Sequence, residues 1–170
     1  MKIKILNGTV VKSTDAFKAD IAIEDGVITK IERKSKTASA DLLPEFEADE
    51  VIDAKGQYLL PGGVDVHTHF DMPFGGTVTA DNFYTGTVAA ACGGNTTIID
   101  FAIQNKGETL KQTLDNWRQK AEAKAVIDYS FHIALTDVTD NVISEIPDIT
   151  NQGVTSFKLF MAYKGSLMSS

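Results

Sequence analysis

From Pro61 onward the chain alternates between short β-branched segments and helical ones, and that alternation constrains the fold more than any other feature. The segments 64–67, 96–101, 128–134 and 156–160 read as strands. Segments 82–91 and 109–124 read as helical and 141–149 as a short helix or turn, with Asp81 a candidate cap for the first and Leu114 and Trp117 on one face of the second. Strands separated by helices imply a parallel sheet with helical crossovers. The first sixty residues have a different rhythm. Residues 3–6 and 9–11 suggest a ribbon around an Asn7-Gly8 turn, and 20–24 and 27–31 flank Asp25-Gly26, a strong hairpin signal. Residues 35–50 read as a polar surface loop, and 51–54 and 58–60 as two further short strands. The expected class is α/β in two domains: residues 1–60, which are β-rich, and residues 61–170, the first four strands of an incomplete (β/α)8 barrel. A closed barrel of that kind needs eight strands and about 250 residues. The expectation is therefore an N-terminal fragment or truncated product.

Composition narrows the function classes. A net charge of −7 argues against a nucleic-acid footprint, which would be basic. No run of about 18 apolar residues is present to span a membrane. The single cysteine, Cys92, excludes an internal disulfide and sits among alanines, which suggests a small packing residue in a cytoplasmic protein.

Two constellations carry chemistry. The first is His67-x-His69 at the C-terminal end of a strand. Residues i and i+2 of a strand point to one face, so the two imidazoles can share a metal ion, and imidazole suits zinc. The bland alternative is two polar residues in a loop after a strand. The second is Lys158 inside an apolar strand. A lysine there must snorkel, lose its charge or find a partner. Pairing with Asp100 or Asp65 is one solution. Reaction of the neutral amine with carbon dioxide, giving a carbamate able to bridge two divalent metals, is the other. Lys164 is a competing candidate, but it lies past the strand in polar sequence.

Four motifs together resemble the cyclic amidohydrolases, most closely the hydantoinase and dihydropyrimidinase family. They are Gly62-Gly-Val-Asp-Val-His-Thr-His-Phe-Asp-Met-Pro-Phe-Gly-Gly76, Gly93-Gly-Asn-Thr-Thr-Ile-Ile-Asp-Phe-Ala102, Asp128-Tyr-Ser-Phe-His132 and Thr155-Ser-Phe-Lys-Leu-Phe-Met-Ala-Tyr-Lys164. The resemblance implies a metal-bearing (β/α)8 barrel beside a β-sandwich built from both termini. It makes His67 and His69 ligands of one metal and Lys158 the carboxylated lysine bridging two divalent ions, zinc by ligand type. Tyr163 would hydrogen-bond the substrate carbonyl as it becomes an oxyanion. Met72 and Phe74 would shape the pocket for the ring's exocyclic substituent. The family's remaining ligands, two histidines and an aspartate, belong to later strands. His132 matches no ligand position and reads as an interior or supporting residue. Asp65 and Asp100 are candidates to orient the histidines or to pair with Lys158.

The implied reaction is hydrolytic opening of a small neutral cyclic amide or ureide, a dihydropyrimidine or hydantoin, to an N-carbamoyl amino acid. Dihydroorotases carry an arginine after the second histidine for an anionic substrate, whereas Asp71-Met-Pro-Phe-Gly-Gly76 has none. Non-catalytic scaffold relatives lack the metal ligands that this chain retains. Family members are commonly homotetramers. The competing expectation is a catalytically inactive or regulatory fragment that associates with full-length subunits.

Overall fold

The computed structural model describes residues 1–35 and 40–169. Residues 36–39, within the expected surface loop, lie outside the described residues. The chain divides into two compact units, Met1–Pro61 and Gly62–Ser170.

The first unit is a five-stranded sheet built around one long strand. β1 (Lys2–Val11) pairs antiparallel with β2 (Ala16–Glu24), which pairs with β3 (Val27–Arg33). On its other side β1 takes β4 (Glu50–Asp53) and β5 (Tyr58–Leu59), both parallel. The β2–β3 hairpin turns at Asp25-Gly26, with φ of 50° and 79°, the positive values that a two-residue primed turn demands. Asn7-Gly8 is not a turn. β1 runs straight through it with a one-residue register slip between Ile5 and Gly8, and Asn7 sits at φ 63°. The Asn7 N–H donates to Asp20 Oδ1 (2.8 Å), and its side-chain amide donates to Asp53. These long-range partners convert a hairpin signal into a bulge. Val10, Ala19 and Ile21 form the buried centre.

The second unit is a four-stranded parallel sheet. Its strands are β6 (Gly63–Thr68), β9 (Asn95–Ile103), β10 (Asp128–Leu135) and β11 (Phe157–Leu159), adjacent in chain order. Between β6 and β9 lie a small hairpin, β7 (Pro73–Phe74) with β8 (Thr77–Val78), and helix α1 (Phe83–Cys92). Helices α2 (Leu110–Ala121) and α3 (Asp140–Asn151) make the next two crossovers. Asn82, not Asp81, caps α1: its side chain accepts from the Tyr84 and Thr85 N–H groups, both at 2.9 Å. The Asp81 carboxylate instead accepts from the Thr85 hydroxyl.

One face of this sheet is the core. Ile98 and Ala102 of β9 and Phe131 and Ile133 of β10 pack with Phe83, Leu114 and Trp117 from the helices. Cys92 is not a packing residue. It lies exposed at the C-terminal end of α1, whose alanines leave no distinct apolar face. At the start of β6 the chain crowds β9: a Cβ on Gly62 would stand 2.2 Å from the Thr96 side chain. Only glycine permits that approach, which coincides with a register slip between Gly63 and Val64.

Candidate functional site

The other face of the same sheet gathers the candidate ligands. Strand alternation sends Ile98, Asp100 and Ala102 toward the helices and Phe101 and Ile103 the opposite way. In register, Phe101 stands beside His132 on β10, and Lys158 stands beside Ala134 on the same face. The buried Phe101 ring is the hub. Its centroid lies 4.7 Å from that of His67, 5.0 Å from His69 and 4.9 Å from His132. The two imidazoles of His67 and His69 meet edge to face at 5.1 Å.

Lys158 resolves its position on aromatic faces. Its Nζ lies 4.2 Å from the Phe101 centroid and 4.5 Å from that of Phe160. Among the described residues it has no carboxylate partner. Asp100 is on the opposite face, where its carboxylate accepts from the Thr68 hydroxyl (2.8 Å) and the Phe70 N–H (2.9 Å). Asp65 accepts from the backbone N–H of His67 (3.1 Å), not from its ring. Neither aspartate contacts an imidazole or Lys158. Asp100 instead holds the two residues that flank His69, a role that local sequence does not signal. Burial pushes its carboxyl up to about 6, against the downward pull of those hydrogen bonds.

Five of the residues singled out in the sequence line one cavity of about 240 Å3: His69, Met72, Phe74, Lys158 and Tyr163, around Phe101. His67 lines an adjoining cleft of about 350 Å3 with Val66, Phe101, His132 and Lys158. Phe101 and Lys158 are common walls. Tyr163 is exposed and adopts φ 66°. Its ring stands edge-on to those of Phe74 and Phe160, and its carbonyl accepts from the Ser166 N–H (3.0 Å). Lys164 is exposed in the turn that follows and lines neither space. A larger cavity of about 870 Å3 lies between the β7–β8 hairpin and α2 and contains none of the candidate ligands. Chemistry, not volume, assigns the site to the Phe101 hub.

The donor set suits a metal. His69 Nδ1 is buried without a hydrogen-bond partner among the described residues, an orphaned polar atom that ligation would satisfy. Burial, then the neighbouring His67 and Lys158 charges, lowers the His69 pKa, so the ring is neutral and its nitrogen can act as a ligand. Among the described residues no group of three or more His, Cys, Asp and Glu gathers around one point.

Phe101 and His132 are the residues whose importance sequence reading understated. Both lie in quoted motifs, but their convergence follows only from the register of four strands. Among the described residues no helix is long and apolar enough to cross a membrane.

No family model matches the chain. It is 54% identical over 161 residues to a D-hydantoinase of Geobacillus stearothermophilus, covering 94% of this chain and 32% of that protein. It is 45% identical over 167 residues to a dihydropyrimidinase of Dictyostelium discoideum, covering 98% of this chain and 32% of that one. The crystal structure of a dihydropyrimidinase from Brevibacillus agri superposes with a TM-score of 0.87 at 50% identity, over 100% of this chain and 35% of the other. The chain thus spans about a third of the length of the relatives it matches. In sequence and in fold it corresponds to the N-terminal part of the hydantoinase and dihydropyrimidinase family.

Proposed function

We propose that this chain contributes half of a binuclear metal site for hydrolysing the cyclic amide bond of a dihydropyrimidine or hydantoin to an N-carbamoyl amino acid. The carrying observation is the convergence of His67, His69 and Lys158 on one sheet face around Phe101. The first unit is then part of a β-sandwich, and the second the opening four strands of a (β/α)8 barrel.

His67 and His69 would hold one divalent ion. The Lys158 amine, walled by aromatic rings, would add to carbon dioxide, forming a carbamate N–C bond and releasing one proton, and the carbamate would supply oxygen donors to help hold the ions. Those ions, zinc by ligand type, supply Lewis acidity and a water of lowered pKa. Tyr163 would donate its hydroxyl to the substrate carbonyl oxygen, a contact of the kind worth about 3 kcal/mol in acyl transfer. Met72 and Phe74 give the cavity an apolar wall, suited to a neutral ring with an apolar substituent or none. Cytoplasmic location and assembly into a homotetramer belong to the same reading.

His67, His69 and Lys158 would not by themselves complete a binuclear site, so further ligands would come from outside these three. Native mass spectrometry with zinc and bicarbonate tests the assignment. Two metals and one added carbon dioxide per chain, abolished by Lys158→Ala, would support it. An unmodified, metal-free chain would count against it.

A further inference from the structure

His132 takes no part in the proposed chemistry, yet both its ring nitrogens are engaged. Nε2 lies 3.0 Å from the Val66 carbonyl oxygen, and Nδ1 is hydrogen-bonded to the Ser156 hydroxyl. A carbonyl can only accept, so Nε2 carries the proton. In the neutral ring Nδ1 then accepts from Ser156. The partners lie far apart in the sheet. Ser156 leads into β11, two residues before Lys158. Val66 is on β6, the opposite edge strand, next to His67. The His132 ring crosses β9 by lying against Phe101. A single side chain therefore links all four strands on the ligand-bearing face.

The bond to Val66 falls where the β6–β9 ladder slips. Asp65 pairs with Ile98 and Thr68 with Asp100, so β6 carries one extra residue and neither Val66 nor His67 has a register partner. Bulges of this kind re-aim side chains. Here the ladder does not hold the bulged segment; His132 holds it at the Val66 carbonyl and Asp65 at the His67 N–H.

We propose that His132 is a positioning residue for the candidate metal centre. Its Ser156–His132–Val66 bridge sets the distance and aim of His67 relative to Lys158. This rests on the site assignment proposed above.

The test uses the whole 170-residue chain and cobalt(II) as probe, followed by visible absorption. His132→Phe keeps a ring against Phe101 and removes both hydrogen bonds. It should weaken cobalt binding by about 10-fold or more, the effect typical of losing a supporting partner of a metal ligand. His132→Gln, which retains an N–H donor for Val66, should recover part of that loss. Val154→Ala, a core truncation of the same unit, should lower stability without changing affinity. If His132→Phe does not fold, Ser156→Ala serves in its place with a smaller loss. Nitrogen-15 spectra of the metal-free chain should show Nε2 protonated and Nδ1 as acceptor.

Unchanged cobalt affinity in His132→Phe, or a proton on Nδ1 of the neutral ring, would overturn the positioning role and leave the site assignment standing. Wild-type binding no better than that of a His67→Ala/His69→Ala chain would overturn the site assignment and the positioning role together.

Discussion

Asp100 offers a quantitative test of how the site is supported. Its carboxyl is fully buried on the helix side of β9, yet it accepts from Thr68, Phe70 and Phe101. Burial dominates and raises its pKa from the ordinary 3.8 to about 6. At about 1.4 kcal/mol per pH unit, the difference corresponds to about 3 kcal/mol between the two protonation states. The folded protein holds this proton more tightly than the unfolded chain does. The stabilisation is therefore complete below pH of about 4 and is lost as pH rises through about 6. Asp100→Asn removes the titration. It also turns an amide N–H2 toward one of the three donors, a pH-independent loss of about 1–3 kcal/mol. The informative quantity is thus how the stability difference changes with pH. The variant should gain on the wild type as pH rises, by about half of the 3 kcal/mol between pH 5 and 7.5. Urea unfolding followed by the fluorescence of Trp117, the single tryptophan and a buried residue of the second unit, reads this directly. A difference that stays constant with pH, or a variant that falls further below the wild type as pH rises, would refute the assignment of burial as the dominant force on Asp100.

Two further outcomes follow from packing and from the cavity wall. Gly86→Ala ordinarily favours a helix by about 1 kcal/mol. Here the new Cβ would lie 2.2 Å from the Phe70 ring, so overpacking of about 1–3 kcal/mol should lower the melting temperature, and a higher one would show that the ring yields freely. Tyr163→Phe in an active form of the protein should reduce turnover with metal content unchanged, and an unaltered rate would remove Tyr163 from catalysis.

What could be read from sequence was local. The Asp25-Gly26 hairpin, the strands rich in β-branched residues and the Leu114/Trp117 helix face each depend on neighbours a few residues away. The His67-x-His69 pair and the out-of-place Lys158 were visible for the same reason. Asn7-Gly8 misled because its turn chemistry is real, but β4 and β5 claim the far side of β1 and Asp20 holds the Asn7 amide. The β7–β8 hairpin was hidden in a two-residue strand pair. The aspartates were harder still. Which face Asp100 occupies depends on its alternation against Phe101, and Asp65 is separated from the ligand face by the slip in β6. Met72, Phe74 and Tyr163 entered through family resemblance alone, and folding brings them to one cavity.

The alternation along β9 also divides labour between selection pressures. Ile98, Asp100 and Ala102 answer to folding, whereas Phe101 and its histidine and lysine neighbours would answer to the proposed chemistry. Because successive residues of one strand serve different masters, substitutions on the ligand face can explore new reactivity while the helix-packed face preserves the scaffold. A single-residue deletion within β6 or β9 has no such freedom. It would exchange the two faces downstream of the lesion, placing ligands in the core and core residues in the site, so length in these strands should be more strictly inherited than residue identity.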